Sequence, residues 1–512
     1  ITLADVSGIV EGTLTVDVET VIPWDNHSPY LYDTYIELYD GKQLVEVVPY
    51  KVGFRRLEII DKVMYLNGKR LVLVGVNRHE WSAKTGRVIG MEEMISDMQC
   101  VKRNNINAVR TCHYPDQIPW YYMCDEAGVY LMSETNLESH GSFQKLGAIE
   151  PSCNVPGSIP QWREAVIDRA RNNFETFKNH TSVLFWSLGN ESYAGDDIEA
   201  MNKYFKDKND GRLVHYESSY YNRAYEDTIS DLESRMYAKP ADVEDYLTNS
   251  AKKPYILCEF MHDMGNSMGG LGSYMKLIDK YDMYQGGFIW DFVDQALKWQ
   301  VDPQKYGTDH VFAFGGDFND YDPSDNSFCC NGIIAADRTL HPHAYEVAYQ
   351  YRSIHTSASP EAAAAGKVTV YNENFFIDLS RYMAEWDVVV DGESVLAGCK
   401  DLPKVAPQRT EVVSLGFDAA EIAEAAGIAD LAAHDVYLNV RYVLRKADGL
   451  LPAGSEVAYD QMCINEAALP VFMNETGLPE YRADGQQHTF SGNMEFEGSD
   501  NTRISSWKAV FD

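Results

Sequence analysis

The chain has 512 residues, 44 basic against 77 acidic side chains, and a formal net charge of −33. That acidity argues against a nucleic-acid or anionic-membrane partner, both of which ask for a basic face. A composition of 45% hydrophobic and 12% aromatic residues argues against disorder, and no run of 18 apolar residues is present to span a membrane. The length predicts about three or four domains. The nine cysteines are odd in number, irregularly spaced and without a Cys-x-x-Cys pair. They predict neither a disulfide framework nor a zinc site, and fit a reducing, cytoplasmic location.

Residues 1–60 read as strands only. The runs 35–39 and 44–48 flank Asp40-Gly41, a good hairpin turn. Two or three strands cannot bury a face unaided, so the segment is expected to be the C-terminal part of an immunoglobulin-like β-sandwich. From 61 to 345 short apolar runs alternate with helical stretches. Strands are expected at 71–76, 108–111, 129–133, 183–187, 213–216, weakly at 234–237, and at 255–258 and 287–290. Helices are expected at 92–103, 120–126, 162–178 and 194–208. Eight strands in such a series predict an α/β fold, a (β/α)8 TIM barrel. An open doubly wound sheet would want a glycine-rich phosphate loop after its first strand, and Val76-Asn77-Arg78-His79 is not one.

The stretch 296–345 is loop-rich and belongs with the barrel. The run EAAAAG at 361–366 reads as a linker. Strand patterns across 346–463 predict a second immunoglobulin-like sandwich, interrupted by a helical insertion at 419–433. Residues 464–512 read as the truncated start of a C-terminal β domain.

Polar residues cluster just after the expected strands, the end of a barrel where active sites are built. Glu191 closes WSLGNES at 186–192 and Glu259 closes the apolar run of YILCEF at 255–260. Two carboxylates at strand ends are the minimum equipment for splitting a glycosidic bond. Glu138 and His140 alternate in an extended segment and so point the same way. With a third carboxylate they make a site for a hard divalent cation, or equally a His–Glu pair supporting the loop. His79, His113 and His262 each follow an expected strand.

These motifs together resemble the β-galactosidase branch of glycoside hydrolase family 2. The matching stretches are Gly75-Val76-Asn77-Arg78-His79-Glu80, Asn107-Ala108-Val109-Arg110, His113-Tyr114-Pro115, WSLGNES, Ile256-Leu257-Cys258-Glu259-Phe260, Met264-Gly265-Asn266-Ser267 and Gly286-Gly287-Phe288-Ile289-Trp290-Asp291. The resemblance covers about residues 30–465 and implies a (β/α)8 barrel flanked by β-sandwiches. It implies cleavage of terminal β-galactosides with retention, Glu259 as nucleophile and Glu191 as acid/base. Retention asks for carboxylates about 5–5.5 Å apart. It further implies that His79, His113, Asn190, Tyr237, His262 and Trp290 contact the sugar or orient the nucleophile. Glu138, His140 and Glu191 would hold Mg2+, and Phe328 (through its carbonyl) and Asn331 would contribute to a Na+ site. A full-length member would carry further domains at both ends and form a homo-oligomer. A β-glucuronidase or β-mannosidase of the same family, or an inactive carbohydrate-binding fragment, are the alternatives.

Overall fold

The computed structural model describes residues 17–143 and 154–467. The expected C-terminal β domain therefore falls almost wholly outside the described residues, as do Cys153 and the first 16 positions.

Eight parallel strands form one sheet: β1 Leu73–Arg78, β2 Ala108–Thr111, β3 Tyr130–Glu134, β4 Val183–Ser187, β5 Leu213–His215, β6 Glu233–Met236, β7 Tyr255–Phe260 and β8 Tyr284–Ile289. Their order is β5-β4-β3-β2-β1-β8-β7-β6. β5 and β6 share no ladder, but the seam is bridged. Asp231 N donates to Val214 O at 2.9 Å, and His215 Nε2 meets Ser234 Oγ at 2.8 Å. The sheet is therefore a nearly closed barrel. Its strands are covered on both faces, which is why β4 (VLFWS) and β7 (YILCEF) are apolar runs rather than alternating ones.

Helices α1 Met91–Arg103, α2 Ile118–Ala127, α3 Pro160–Phe177, α4 Asp196–Lys208, α5 Pro240–Asn249, α6 Leu271–Lys280 and α7 Pro342–Gln350 cover the outside. α1 buries Met94, Met98 and Val101, one stripe at helical spacing. Glu93 Oε2 accepts from the Gly90 amide at 3.0 Å at its start, and Lys102 and Arg103 sit in its last turn. α2 opens with proline in its first turn and ends at Gly128, φ 70°. A Cβ there would lie 2.7 Å from Asn26 O, so the position demands glycine twice over.

The barrel interior is filled by side chains such as Leu73, Met132, Phe185 and Phe288. Its N-terminal end is plugged by Met64 and Leu66 from a three-stranded antiparallel sheet (Leu57–Ile60, Val63–Leu66, Lys69–Arg70). Fully buried Gln285 fastens that plug. Its Oε1 accepts from Met64 N at 2.7 Å and its Nε2 donates to Met64 O at 2.9 Å. Each fully buried apolar side chain of this kind contributes about 1.5–3 kcal/mol.

After β8 the chain forms a hairpin, Leu297–Gln300 with His310–Ala313, on the side of the barrel mouth. Beyond α7, a three-stranded sheet (Ile354–Ser357, Lys367–Asn372, Arg409–Ser414) faces a four-stranded one ordered Glu393–Asp401, Tyr382–Val390, Val436–Leu444, Glu456–Asn465. Strand Tyr382–Val390 alternates strictly between buried and half-buried positions, as a sandwich strand should. One expectation is corrected here. The run read as a linker is a helix, Pro360–Ala364, capped by Ser359 Oγ on Ala362 N at 3.3 Å, with Ala363 fully buried in the sandwich core. Alanine is the best helix former, and an Ala-rich run beside a core packs rather than tethers. The helical insertion reads true: Ala419–Ala426 is a helix with an Asp418–Glu421 capping box.

At the other end of the chain, strands Tyr32–Asp40 and Gln43–Val52 pair only with each other among the described residues. Tyr35, Ile36, Tyr39 and Val45 are exposed there. No helix of the described residues is long and apolar enough to cross a membrane.

Candidate active site

The residues singled out from sequence converge at the C-terminal ends of the barrel strands. At their centre is Arg110 on β2, fully buried. Its guanidinium donates to Glu134 (2.6 and 3.1 Å), Asn77 Oδ1 (2.8 Å), Glu259 Oε1 (2.9 Å) and Asn190 Oδ1 (2.8 Å). A buried cation is tolerated only when its donors are satisfied. Burial opposes the charge, but the surrounding Glu134 and Glu259 carboxylates outweigh it and keep Arg110 protonated.

Glu259 lies on β7, almost fully buried. Arg110 holds one of its oxygens, and the Tyr237 hydroxyl donates to the other at 2.8 Å. Tyr237 follows β6 at φ 50°, with its amide bonded to Glu259 O at 2.8 Å. Burial, then the Glu259 charge, pushes the Tyr237 hydroxyl far above its ordinary range, so it remains a donor.

Glu191 stands beyond β4 at φ 37°, left-handed backbone that costs a non-glycine residue on the order of 1–3 kcal/mol. Its amide donates to Glu217 Oε1 at 2.9 Å, and Glu217 is itself buried. Burial raises the Glu217 carboxyl to about 8. Burial and then the charge of Glu259 also raise the proton affinity of Glu191, which His140 partly offsets. The two carboxylates therefore feel each other across the barrel mouth. Asn190, beside Glu191, is pinned between Arg110 and Glu138, donating to Glu138 Oε1 at 3.0 Å.

The aromatic wall comes from β1, β2 and β8. Trp290 stacks on His113, with centroids 5.1 Å apart and planes 5° apart, and His79 meets both rings edge-on. His113 Nδ1 bonds Glu134 Oε1 at 2.8 Å. Burial alone would depress that imidazole, but the Glu134 bond wins and its pKa is raised. Burial keeps His79 neutral, its pKa well below the usual value. His262, after β7, lies 3.3 Å from Asn331 Nδ2 and packs on Phe328 at 5.6 Å. A cavity of about 350 Å3 opens beside His79, His113 and Glu138. A larger one of about 480 Å3, bordered by Val72, Asn107 and Tyr130, lies at the opposite end of the strands and touches none of the residues predicted from sequence.

Two candidate cation sites are testable on donor chemistry. One ligand atom each from Glu138, His140 and Glu191 lies within 4.8 Å of the others, a set of two carboxylates and an imidazole that suits a divalent cation. His140 Nδ1 and Glu191 Oε2 are already in contact. Asn331 Nδ2 donates to Phe328 O at 2.6 Å, while the buried Asn331 Oδ1 has no hydrogen-bond partner among the described residues. An orphaned buried oxygen beside a carbonyl suits a monovalent cation.

Sequence reasoning brought Glu191, Glu259, Asn190, Tyr237, the three histidines and Trp290 into one place. It placed Glu134 and Glu217 after expected strands and Arg110 in a matching stretch, but assigned none of the three a role. The available signal was a charged residue inside the apolar strand Ala108-Val109-Arg110-Thr111, which must be paired if buried.

A parallel barrel carrying two acidic residues after separate strands, with an aromatic wall between them, has the build of a TIM-barrel glycoside hydrolase. The sequence comparisons agree. Residues 57–356 match the family description "Glycosyl hydrolases family 2, TIM barrel domain", 368–465 match "Beta-galactosidase, domain 4" and 3–55 match "Glycosyl hydrolases family 2". The chain belongs to glycosyl hydrolase family 2. It is 59% identical over 336 residues to the beta-galactosidase large subunit of Lactobacillus acidophilus, covering 65% of this chain and 53% of that protein. It is 46% identical over 458 residues to the beta-galactosidase of Clostridium acetobutylicum, covering 89% and 48%. The chain thus spans about half the length of the curated relatives it matches. Among solved structures, the Bacteroides uniformis beta-glucuronidase has the same fold, with a TM-score of 0.51 at 16% identity over 88% of this chain and 52% of that one.

Proposed function

We propose that this chain carries the catalytic centre of a retaining β-galactosidase acting on terminal, non-reducing β-D-galactosides such as lactose. The observation that carries the reading is the unequal treatment of the two carboxylates. Glu259 is gripped by a guanidinium and a phenol, one on each oxygen, which fixes the carboxylate in one orientation, as a nucleophile needs. Glu191 has its proton affinity raised by burial and by Glu259, the state an acid needs.

In the first step Glu191 gives its proton to the leaving oxygen while Glu259 attacks the anomeric carbon and forms a galactosyl ester. In the second, Glu191 takes a proton from water, which displaces Glu259. Once Glu259 is esterified its charge is gone, and the proton affinity of Glu191 falls, as a base requires. Arg110 stabilises the carboxylate when it leaves. His79, His113, Asn190 and His262 offer hydrogen bonds to ring hydroxyls, and Trp290 offers a flat face. Glu138, His140 and Glu191 would hold Mg2+, whose charge tunes the proton affinity of Glu191; Phe328 and Asn331 would contribute to Na+ binding.

Support for the galactoside over the glucuronide reading comes from the relatives, named as beta-galactosidases at up to 61% identity. A 2-deoxy-2-fluoro galactoside should trap an adduct on the Glu259 peptide, and label on any other residue overturns the assignment. Aryl galactoside should be turned over in preference to aryl glucuronide and aryl mannoside. We also infer a multi-chain assembly for the whole protein. The name "large subunit" carried by several relatives supports it. Light scattering on the full reading frame should give more than one chain's mass.

A further inference from the structure

Cys329-Cys330 is the one adjacent cysteine pair in the sequence. Both are free and only partly buried, whereas Cys100, Cys112, Cys124 and Cys258 are sealed in the core. The two residues are consecutive along a trans backbone, so their Cα atoms lie only about 3.8 Å apart. Cys329 ends the short turn Asn326–Cys329 and borders a cavity of about 360 Å3 whose other walls include Trp81, Phe314 and Phe318. Cys330 packs against a small cluster, Ala83, Ala296 and Ala336, that Trp81 and Phe314 also touch. Two thiols thus sit together at the rim of an aromatic pocket.

We propose that Cys329 and Cys330 form a dithiol site for trivalent arsenicals, with the organic substituent of the arsenic seated in that pocket. The chemistry needs no oxidant. An arsine oxide R–As=O condenses with two thiols to R–As(S–Cys329)(S–Cys330); two S–H bonds and the As=O bond are exchanged for two As–S bonds and one water, and arsenic stays trivalent. The second sulfur closes a ring, so its effective concentration far exceeds that of a free monothiol competitor. Among the described residues, the other accessible sulfurs cannot do this together. Cys399 and Cys463 lie on strands separated by two others in the four-stranded sheet, roughly 14 Å at about 4.8 Å per strand.

The site is wired to the barrel mouth. Cys329 O accepts from Gln295 N at 2.8 Å, Gln295 Nε2 donates to Asp291 Oδ2 at 2.7 Å, and Asp291 N donates to Asn331 O at 2.8 Å. Asp291 directly follows Trp290. Closing a ring through the two sulfurs shifts this turn, and with it Asn331 and Trp290.

The test uses phenylarsine oxide on the whole chain, read by intact-mass and peptide mass spectrometry. With excess 2-mercaptoethanol present, one phenylarsine unit should remain, bridging the two residues of the Cys329-Cys330 peptide, and dithiothreitol should remove it. Cys329→Ser and Cys330→Ser should each lose retention. Retention in either variant, retention elsewhere, or no retained adduct overturns the site. For the coupling, which rests on the proposed activity, aryl galactoside hydrolysis by the full reading frame should fall at least tenfold and recover with dithiothreitol. Unchanged hydrolysis by the adduct overturns the coupling. Absence of hydrolysis before any reagent is added counts against the proposed activity, and the mass readout still decides the site.

Discussion

The Arg110 guanidinium lies 2.9 Å from Glu259 Oε1 and is itself fully buried, so the two side chains hold each other in place. The same guanidinium bonds Asn190, the neighbour of Glu191. One cation on β2 therefore sets the position of groups on β4 and β7. Arg110→Lys keeps the charge but loses the planar fork. It should lower kcat/KM by about 100-fold or more, an effect of about 3 kcal/mol, because a single ammonium cannot serve all the acceptors Arg110 holds and each buried acceptor left unpaired costs about 1–3 kcal/mol. Steady-state kinetics with an aryl galactoside measures it; a loss below tenfold contradicts the role.

The Tyr237 hydroxyl is buried against Glu259, but the residue as a whole is 42% exposed and Tyr237→Phe keeps its ring, so the melting temperature should change little. It removes the donor to Glu259 Oε2. A hydrogen bond to a charged group is worth about 1.5–3 kcal/mol, which predicts roughly a 10- to 150-fold fall in kcat. Loss of KM alone, with kcat intact, would assign the tyrosine to substrate binding instead.

Glu191→Gln should slow substrates with poor leaving groups far more than activated aryl galactosides, since only the former need the proton. In the parent enzyme the raised proton affinity of Glu191 keeps it protonated further up the pH scale. The alkaline limb of kcat/KM should accordingly lie above an ordinary glutamate's range. Equal losses on both substrate classes would remove Glu191 from the acid role.

Chelation should separate the Glu138–His140–Glu191 set from a purely structural one. If these donors hold Mg2+, EDTA should lower both activity and melting temperature, and added Mg2+ should restore them by mass action. Glu138→Gln should weaken the Mg2+ dependence at least tenfold. A melting temperature indifferent to EDTA and Mg2+ would leave the cluster as a hydrogen-bonded pair.

Asp263 is almost fully buried, both its oxygens lack hydrogen-bond partners, and His343 Nδ1 stands 3.4 Å away. Burial raises its carboxyl to about 8. The folded state therefore keeps a proton that the unfolded chain releases near pH 4. Its contribution is fully present below that pH, declines as pH rises, and is lost once pH passes about 8. Asp263→Asn removes the titration, so the variant should gain stability relative to the parent from pH 5 to pH 8, on the order of 1–3 kcal/mol, read as a rising difference in melting temperature. Parallel melting curves for the two proteins across that range would contradict it.

The barrel was legible in the sequence because its strands are sealed on both faces. Apolar runs such as VLFWS and YILCEF then recur between amphipathic helices, and polar residues fall at one phase of the repeat. The acidic pair, the histidines and the Glu138–His140 alternation were visible for the same reason: each lies at the C-terminal end of a strand or within a few residues beyond it, so strand position puts it at the barrel mouth. The Ala-rich run before Gly366 was misread because helix propensity and linker composition look alike until a neighbouring core buries Ala363. What the tertiary structure decided was pairing. Which oxygen Arg110 grips, that Glu217 holds the Glu191 amide, that Trp290 lies flat on His113, and that Asp263 is buried without a hydrogen bond to its carboxylate depend on strand order and register, which bring together residues at the ends of β2, β4, β5, β7 and β8. Local sequence sets which face a side chain takes; only closure of the sheet sets what it meets there.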